Sequence, residues 1–222
     1  MKKIICILSL SLLFFGQATS ITAAKELPQI TFINKIVNTK AGPEWKLALH
    51  YPQVTIKDNT WAAAKINKYY QKWAEQTIER YQKGDPDPAI ENKESKYHTS
   101  YCDAKYLSFV DEGYIYYQGA AHPLSWCVGD TFSVLTGKKL SWQELIKTED
   151  KTAFSLAAIN AKIMTSKPGK AGYLYPNFKG LKKLPKNYYL STKGNIHFVF
   201  GQYEIAPYAV GIIDLDMEKQ PK

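Results

Sequence analysis

Residues 61–82 read WAAAKINKYYQKWAEQTIERYQ, and this stretch decides the fold class of the chain. Its apolar residues recur at three- and four-residue spacing, while lysines and glutamates occupy the other side, which is typical of an amphipathic helix. Asp58 or Asn59 can cap its start and Gly84 can end it. We therefore expect one long helix that covers a sheet. The apolar stripe comprises Ala62, Ile66, Tyr69, Tyr70, Trp73, Thr77, Ile78 and Tyr81.

Segments rich in β-branched and aromatic residues flank this helix on both sides, and they predict strands. They span residues 30–37, 44–56, 96–110, 114–118, 126–135, 188–191, 196–200 and 211–215. Pro52 indicates an edge or a break in the second strand, and residues 111–113 (Asp-Glu-Gly) predict a hairpin turn.

Two shorter helices are predicted at residues 141–146, where Ser141 and Glu144 fit a capping box, and at residues 151–164. Helices and strands that are segregated in this way indicate an α+β fold. We expect an antiparallel β-sheet covered by one long helix and smaller helices on one side.

The N-terminus predicts export. Lys2 and Lys3 precede an apolar run at residues 4–15, and small residues follow it. This order is that of a secretory signal peptide, and the run is short for a membrane span. We expect a signal peptide at residues 1–24, a mature chain that begins near Lys25 without a transmembrane segment, and an extracytoplasmic (periplasmic or secreted) location.

Positive charge is concentrated in one part of the sequence. The formal net charge is +9, and residues 151–203 contain nine lysines without any Asp or Glu. An exported chain does not usually meet nucleic acid, so the expected partners are anionic envelope polymers, lipid head groups or acidic proteins. A solvated surface is the alternative interpretation. The candidate binding lysines are Lys179, Lys182, Lys183 and Lys186.

The stretch YYQGAAHPLSWC, residues 116–127, raises the question of what His122 does. No Gly-x-Ser-x-Gly motif accompanies it, and acidic residues are sparse in the C-terminal half, so we expect no catalytic residue. The four histidines are dispersed without metal-ligand spacing, so neither a metal nor another cofactor is expected. His122 then either stabilises a turn or faces a ligand. Glu204 has the same two alternatives, and Tyr203 and Tyr208 extend a candidate contact surface.

Cys102 and Cys127 remain after a signal peptide is removed. Export permits a disulfide between them. In a plain meander the two would lie two strands apart, near 10 Å, which exceeds the reach of a disulfide. A bulge or crossover at residues 119–125 would bring them together. The sequence leaves both arrangements open.

Three motifs resemble one family of bacterial exported proteins. Residues 119–122 (GAAH) follow a tyrosine-rich strand, residues 136–146 read TGKKLSWQELI, and residues 203–211 read YEIAPYAVG. Together they resemble the RsiV-like domain, of the DUF3298 type. Residues 49–81 look like the PdaC N-terminal-like module that usually precedes it. The family commonly has two glycines before Ala-His, whereas Ala120 occupies the second position here.

After the signal peptide expected at 1–24, the resemblance implies a PdaC N-terminal-like module at 25–90 and an RsiV-like module at 91–222, packed as one unit. Family members include the extracellular part of an anti-sigma factor that senses lysozyme and the non-catalytic part of a peptidoglycan deacetylase. The implied function is an exported, non-catalytic binding or sensing module for a wall component or a wall-active protein such as lysozyme. An envelope hydrolase or deacetylase is the alternative. The candidate contacts are His122, Tyr117, Tyr203, Glu204 and Tyr208.

Animal lysozymes are typically cationic, as this chain is, and like charges slow encounter. This comparison favours an anionic wall polymer as the partner.

Overall fold

A computed structural model describes residues 26–39, 42–82 and 90–222. The predicted signal peptide and Gly84 lie outside these ranges. The strands are β1 (Gln29–Thr39), β2 (Gly42–Thr55), β3 (Ile90–Cys102), β4 (Tyr106–Tyr117), β5 (Leu124–Ser133), β6 (Tyr188–Leu190), β7 (Ile196–Phe200) and β8 (Ile213–Asp216). The helices are α1 (Thr60–Gln82), α2 (Trp142–Leu145), α3 (Leu156–Thr165) and α4 (Lys167–Lys170).

The first five strands form one sheet in the order β1-β2-β3-β4-β5. Every neighbouring pair is antiparallel except β2 and β3, which are parallel between Lys46–Asn92 and His50–Lys96. Helix α1 lies between these two strands in the chain, and a parallel pair needs such a crossover connection. The α+β class predicted from the sequence is confirmed, and the sheet combines strands from both sides of residue 90.

Helix α1 covers one face of this sheet and forms the first hydrophobic core. Asn59 caps it, because its Oδ1 accepts a hydrogen bond of 3.2 Å from the Ala62 amide. Ile66 and Tyr70 are fully buried against Phe109 and Phe132 of the sheet. Burial of one such side chain contributes about 1.5–3 kcal/mol, so this apolar stripe holds the helix in place.

Pro52 lies where β2 becomes an edge, as predicted. The pairing of β2 with β3 ends at His50, while the pairing with β1 continues to Thr55. Asn67 of α1 covers part of the free edge: its side chain accepts from the Val54 amide at 2.7 Å and donates to the Val54 carbonyl at 2.9 Å.

The predicted hairpin at residues 111–113 is wrong. Strand β4 runs without a break through these residues, and the turn lies before it, where Asp103 Oδ1 accepts hydrogen bonds from the amides of Lys105 (2.7 Å) and Tyr106 (2.6 Å). Gly113 does not form a turn; it allows the neighbouring strands to pack closely. A Cβ there would lie 2.2 Å from the Glu94 carbonyl oxygen and 2.4 Å from the Trp126 ring.

A second, three-stranded sheet has the order β6-β7-β8 and forms its own core with α2 and α3. It packs against the face of the first sheet that α1 does not cover. The Leu190 amide donates to Ser108 Oγ at 3.1 Å, and Asn187 bonds the Gly129 amide (3.0 Å) and the Cys127 carbonyl (2.7 Å). None of the helices in the described ranges has the length and apolarity needed to cross a bilayer.

Cys102 and Cys127 are both free thiols. Of the two arrangements that the sequence leaves open, the structure has the plain meander of β3, β4 and β5. Cys102 pairs with Leu107, whose partner on β5 is Phe132, five residues along the strand from Cys127. At about 3.3 Å per residue this separates the cysteines by more than about 15 Å, beyond the reach of a disulfide.

Candidate functional site

The structure brings together His122, Tyr203 and Tyr208, which we call the aromatic platform. The rings of His122 and Tyr208 stack with their centroids 3.7 Å apart and an interplanar angle of 20°. His122 Nδ1 lies 3.2 Å from the Pro123 carbonyl, and Nε2 lies 3.5 Å from the Tyr203 hydroxyl. A neutral ring with its proton on Nδ1 satisfies both contacts, since it donates to the carbonyl and accepts from the hydroxyl.

Tyr203 is held in an unusual conformation at the edge of the platform. Its φ of 65° is in the left-handed region, and 49% of the residue is exposed. Such a conformation costs about 1–2 kcal/mol for a residue with a Cβ and is enriched at functional sites. The platform therefore presents a tyrosine that the fold holds outward at a cost in stability.

Glu204 stabilises the backbone of the loop that carries Tyr203 and Tyr208, which we call the platform loop. Its Oε2 accepts a hydrogen bond of 2.8 Å from the Gly201 amide. Strand β4 ends at Tyr117, whose ring stacks on none of the platform side chains in the described structure.

Gln202 was not predicted from the sequence. Its Oε1 accepts a hydrogen bond of 2.8 Å from the Ser125 amide and so joins the segments that carry Tyr203 and His122. No local pattern marks a contact between residues so distant in sequence.

The four candidate lysines lie on a segment that is anchored to the second core. We call residues 173–187 the lysine segment. Asn160 of α3 accepts from the Leu181 amide at 2.7 Å and donates to the Leu181 carbonyl at 3.1 Å. Trp142 Nε1 donates to the Pro185 carbonyl at 2.8 Å, and the Tyr175 amide donates to the Ile205 carbonyl of the platform loop at 3.1 Å.

All four lysines are exposed. In the part of the chain that the structure describes, none of them forms an ion pair. The positive charges of Lys179, Lys182, Lys183 and Lys186 thus remain available to a partner, and the backbone that carries them is held in place.

A cleft of about 320 Å³ lies between α1 and the helix-facing side of β3, β4 and β5. At one end is Asp130, which is 1% exposed. It pairs with Lys139 and accepts from the hydroxyls of Tyr69 (3.3 Å), Tyr70 (3.5 Å) and Tyr97 (3.3 Å). Four donors therefore satisfy this carboxylate, which indicates a structural role.

Asp111 lies on the floor of the same cleft and is 5% exposed. Ser95 Oγ donates to one of its oxygens at 2.6 Å, and Trp126 Nε1 donates to the other at 3.0 Å. Burial raises the pKa of Asp111, and the nearby charge of Asp130 adds to this, while the two hydrogen bonds oppose it. Each oxygen has a lone pair left to accept a further donor.

A second cleft, of about 590 Å³, lies on the opposite face of the sheet, beside β8. It is lined by Glu94, Lys96, His98, Glu112, Cys127 and Asp214, among others. Burial raises the pKa of Cys127 to about 12, with further contributions from Glu112 and Asp214. Among the described residues, no three His, Cys, Asp or Glu side chains are grouped so that they could hold a metal ion.

Comparisons with known proteins concern the fold and the C-terminal part. The family model described as "Protein of unknown function (DUF3298)" matches residues 143–220, which include the lysine segment and the platform residues Tyr203 and Tyr208. No curated protein matches the chain. The RsiV-like and PdaC N-terminal-like assignments remain predictions.

Two crystal structures share the fold. One is a DUF3298 family member from Bacteroides fragilis, with a TM-score of 0.58, 17% identity, and coverage of 90% of this chain and 95% of that one. The other is a DUF3298 family protein from Pseudomonas aeruginosa, with a TM-score of 0.56, 13% identity, and coverage of 87% and 91%. At these identities the likeness shows the fold alone.

Proposed function

We propose that this chain is an exported, non-catalytic binding module of the bacterial cell envelope and that its ligand is an anionic wall polymer. One observation carries the proposal: four exposed lysines, which form no ion pair with any described residue, stand on a segment that is anchored to the core. The signal peptide predicted at residues 1–24 supports a location outside the cytoplasm.

The anchoring matters because binding costs free energy when a mobile segment becomes ordered. The hydrogen bonds of Trp142 and Asn160 hold the backbone of the segment before any ligand arrives, which reduces that cost. The absence of acidic residues from 151 to 203 also matters. The lysine segment itself therefore contains no carboxylate that would compete with a polyanion for its four lysines.

The test compares two quadruple variants of equal charge. In the first, Lys179, Lys182, Lys183 and Lys186 become Gln. In the control, four exposed lysines from other parts of the chain, Lys35, Lys46, Lys68 and Lys72, become Gln. We expect the first variant to lose at least tenfold in affinity for immobilised teichoic acid and the control to stay within about twofold of the wild type.

Salt should weaken the binding of the wild type, because charges on the surface are screened within about 8–10 Å at 0.1–0.15 M salt. An equal loss of affinity in both quadruple variants would mean that binding depends on net charge alone, which would contradict a defined site on the lysine segment. Turnover of peptidoglycan in a muramidase or deacetylase assay would contradict the non-catalytic role.

A wall-active protein such as lysozyme is the second candidate partner, and the exposed, strained Tyr203 favours it. Tyrosine is enriched in protein interfaces, and the platform offers three adjacent rings. The change Tyr203→Ala separates the two candidates. It should abolish co-elution with lysozyme in gel filtration if the platform is the contact, and it should leave binding to teichoic acid nearly unchanged.

A further inference from the structure

The cleft between α1 and the sheet has two ends with different properties. At the Asp130 end, the tyrosine hydroxyls and Lys139 satisfy the carboxylate, and their role is structural. At the other end, Arg80 of α1 and Lys93 of β3 line the cleft together with Trp73 and Trp126. Among the described residues, neither Arg80 nor Lys93 forms an ion pair at this second end.

Lys93 is partly buried, and its ammonium group lies beside the ring of Trp126. Among the described residues it forms no ion pair, and its Nζ lies 5.6 Å from the centroid of the Trp126 ring. Burial lowers the pKa of Lys93, and the positive charge of Arg80 lowers it further, while Asp111 raises it. Both cations line the same cleft, so their positive charges repel each other there.

Arg80 does not relieve this repulsion. The one hydrogen bond that its side chain forms within the described ranges runs from Nε to the Gln76 carbonyl, at 3.4 Å. The terminal nitrogens of a guanidinium provide further donors in a planar fork, which suits a carboxylate or a phosphate. An anion between Arg80 and Lys93 would remove the repulsion and satisfy both groups.

The floor of the cleft provides acceptors a short distance away. Asp111 accepts one hydrogen bond on each oxygen and retains lone pairs, so it can also accept from a hydroxyl group. Trp73 and Trp126 supply apolar ring surface on the walls. The ligand that fits these groups has an anionic end, hydroxyl donors and a compact ring.

We infer that this cleft binds an acidic sugar, with its anionic group between Arg80 and Lys93 and a hydroxyl on Asp111. A volume of about 320 Å³ is at the lower end of the usual range for ligand sites, about 300–1,000 Å³, and suits a single sugar unit. The site is on different elements from the lysine segment, and the inference does not rest on the proposed function.

Three hexoses that differ only at carbon 6 test the inference: glucose, glucuronate and glucose 6-phosphate. We expect both anions to bind at least tenfold more tightly than glucose, and their relative affinities distinguish a carboxylate from a phosphate ligand. Titration followed by NMR has a local reporter, since the indole N–H signal of Trp126 should shift as Asp111 gains a new donor. Equal binding of all three sugars, or no binding of any, overturns the inference.

A matched pair of variants locates the ligand. Lys93 and Lys96 are three residues apart on β3, and Lys96 lines the cleft on the opposite face of the sheet. We expect Lys93→Gln to remove the advantage of the anionic sugars and Lys96→Gln to leave it within about twofold. Thermal melts verify that both variants fold. The quadruple change in the lysine segment distinguishes the two sites. If it abolishes sugar binding and Lys93→Gln does not, the sugar does not bind in this cleft, and the proposed function stands.

Discussion

Lys139 forms an ion pair with Asp130 in which the carboxylate side chain is 2% exposed and the lysine side chain is 42% exposed. The isolated bridge between Lys139 and Phe132 places the lysine beside β5, the strand that carries Asp130. Burial alone would lower the pKa of Lys139, but Asp130 and Tyr69 raise it above its usual value. The pair closes one end of the cleft beneath α1.

Removal of Lys139 should therefore destabilise the protein. The change Lys139→Met leaves the buried Asp130 carboxylate without its cation, which costs about 3–5 kcal/mol in other proteins. Three tyrosine hydroxyls that donate to Asp130 reduce this cost here. We expect a loss of about 2–3 kcal/mol in the free energy of unfolding, measured by urea denaturation.

The neighbouring Lys138 is the control. It pairs with Glu144 on the surface, where the two side chains are 62% and 40% exposed. Exposed pairs contribute about 0–1 kcal/mol, so Lys138→Met should change the free energy of unfolding by less than about 1 kcal/mol. Similar losses for both variants would contradict a special role for the buried pair.

The packing of the two sheets depends on Gly129. A Cβ at this position would lie 1.9 Å from the Tyr188 carbonyl oxygen, so the backbone of β6 would have to move. We expect Gly129→Ala to destabilise the protein by more than about 2 kcal/mol, measured by thermal unfolding.

Gly119 is a matched control, since no atom of the described residues lies within 4 Å of a Cβ there, whereas its φ of 75° disfavours a side chain. Gly119→Ala should cost about 1 kcal/mol. A larger loss at Gly119 than at Gly129 would show that the contact between β5 and β6 is not close.

The parts of the fold that follow from local patterns could be predicted. Helix α1 has a clear stripe and an Asn59 cap, and both are where the periodicity indicates. The capping box at Ser141 is also confirmed: the Ser141 amide donates to Glu144 Oε2 at 2.8 Å. These signals depend on residues a few positions apart, which the sequence displays directly.

The hairpin at residues 111–113 was predicted wrongly because its signal is only local. Asp-Glu-Gly favours a turn when nothing else holds it. Here Ser95 and Trp126, from the two neighbouring strands, bind Asp111, and the Trp126 ring packs over Gly113. Tertiary contacts thus kept the strand straight.

The candidate site was predictable in part. His122 comes from one motif and Tyr203 and Tyr208 from another, and the structure brings their rings together. The cleft was missed because its charges come from a helix and three strands. One signal was present: Asp111 and Asp130 stand two residues from the apolar Phe109 and Phe132, on the strand face predicted to be buried, and a buried acid needs partners.

The anchoring of the lysine segment can be tested without a ligand. Asn160→Ala removes both hydrogen bonds to Leu181, each of which contributes about 0.5–1.5 kcal/mol. We expect amide hydrogen exchange in the lysine segment, at Leu181 above all, to become roughly tenfold faster. Asn177→Ala, at an exposed residue of the same segment, should leave the exchange rates nearly unchanged, and equal acceleration in both variants would contradict the anchor.

The two free thiols provide the last two predictions. Thiol counting on the denatured, unreduced protein should find both Cys102 and Cys127 reactive, because the meander keeps them apart. In the folded protein, Cys127 should react slowly with a disulfide reagent. Its pKa of about 12 leaves about one part in 10⁴ as thiolate at pH 8, against about a quarter for an unperturbed thiol.

The raised pKa of Cys127 also determines the direction of a pH effect on stability. The folded state keeps the proton, whereas the unfolded thiol loses it above its pKa of about 8.5, so its contribution is complete below pH 8.5 and declines as the pH rises toward 12. Urea denaturation between pH 8 and 11 should show a shallower decline for Cys127→Ser than for the wild type. The same measurement on Cys102→Ser provides a comparison, since burial and Asp103 also raise the pKa of that thiol. Identical declines in the wild type and Cys127→Ser, together with rapid labelling of Cys127 in the folded protein, would mean that this thiol is not held protonated in the cleft.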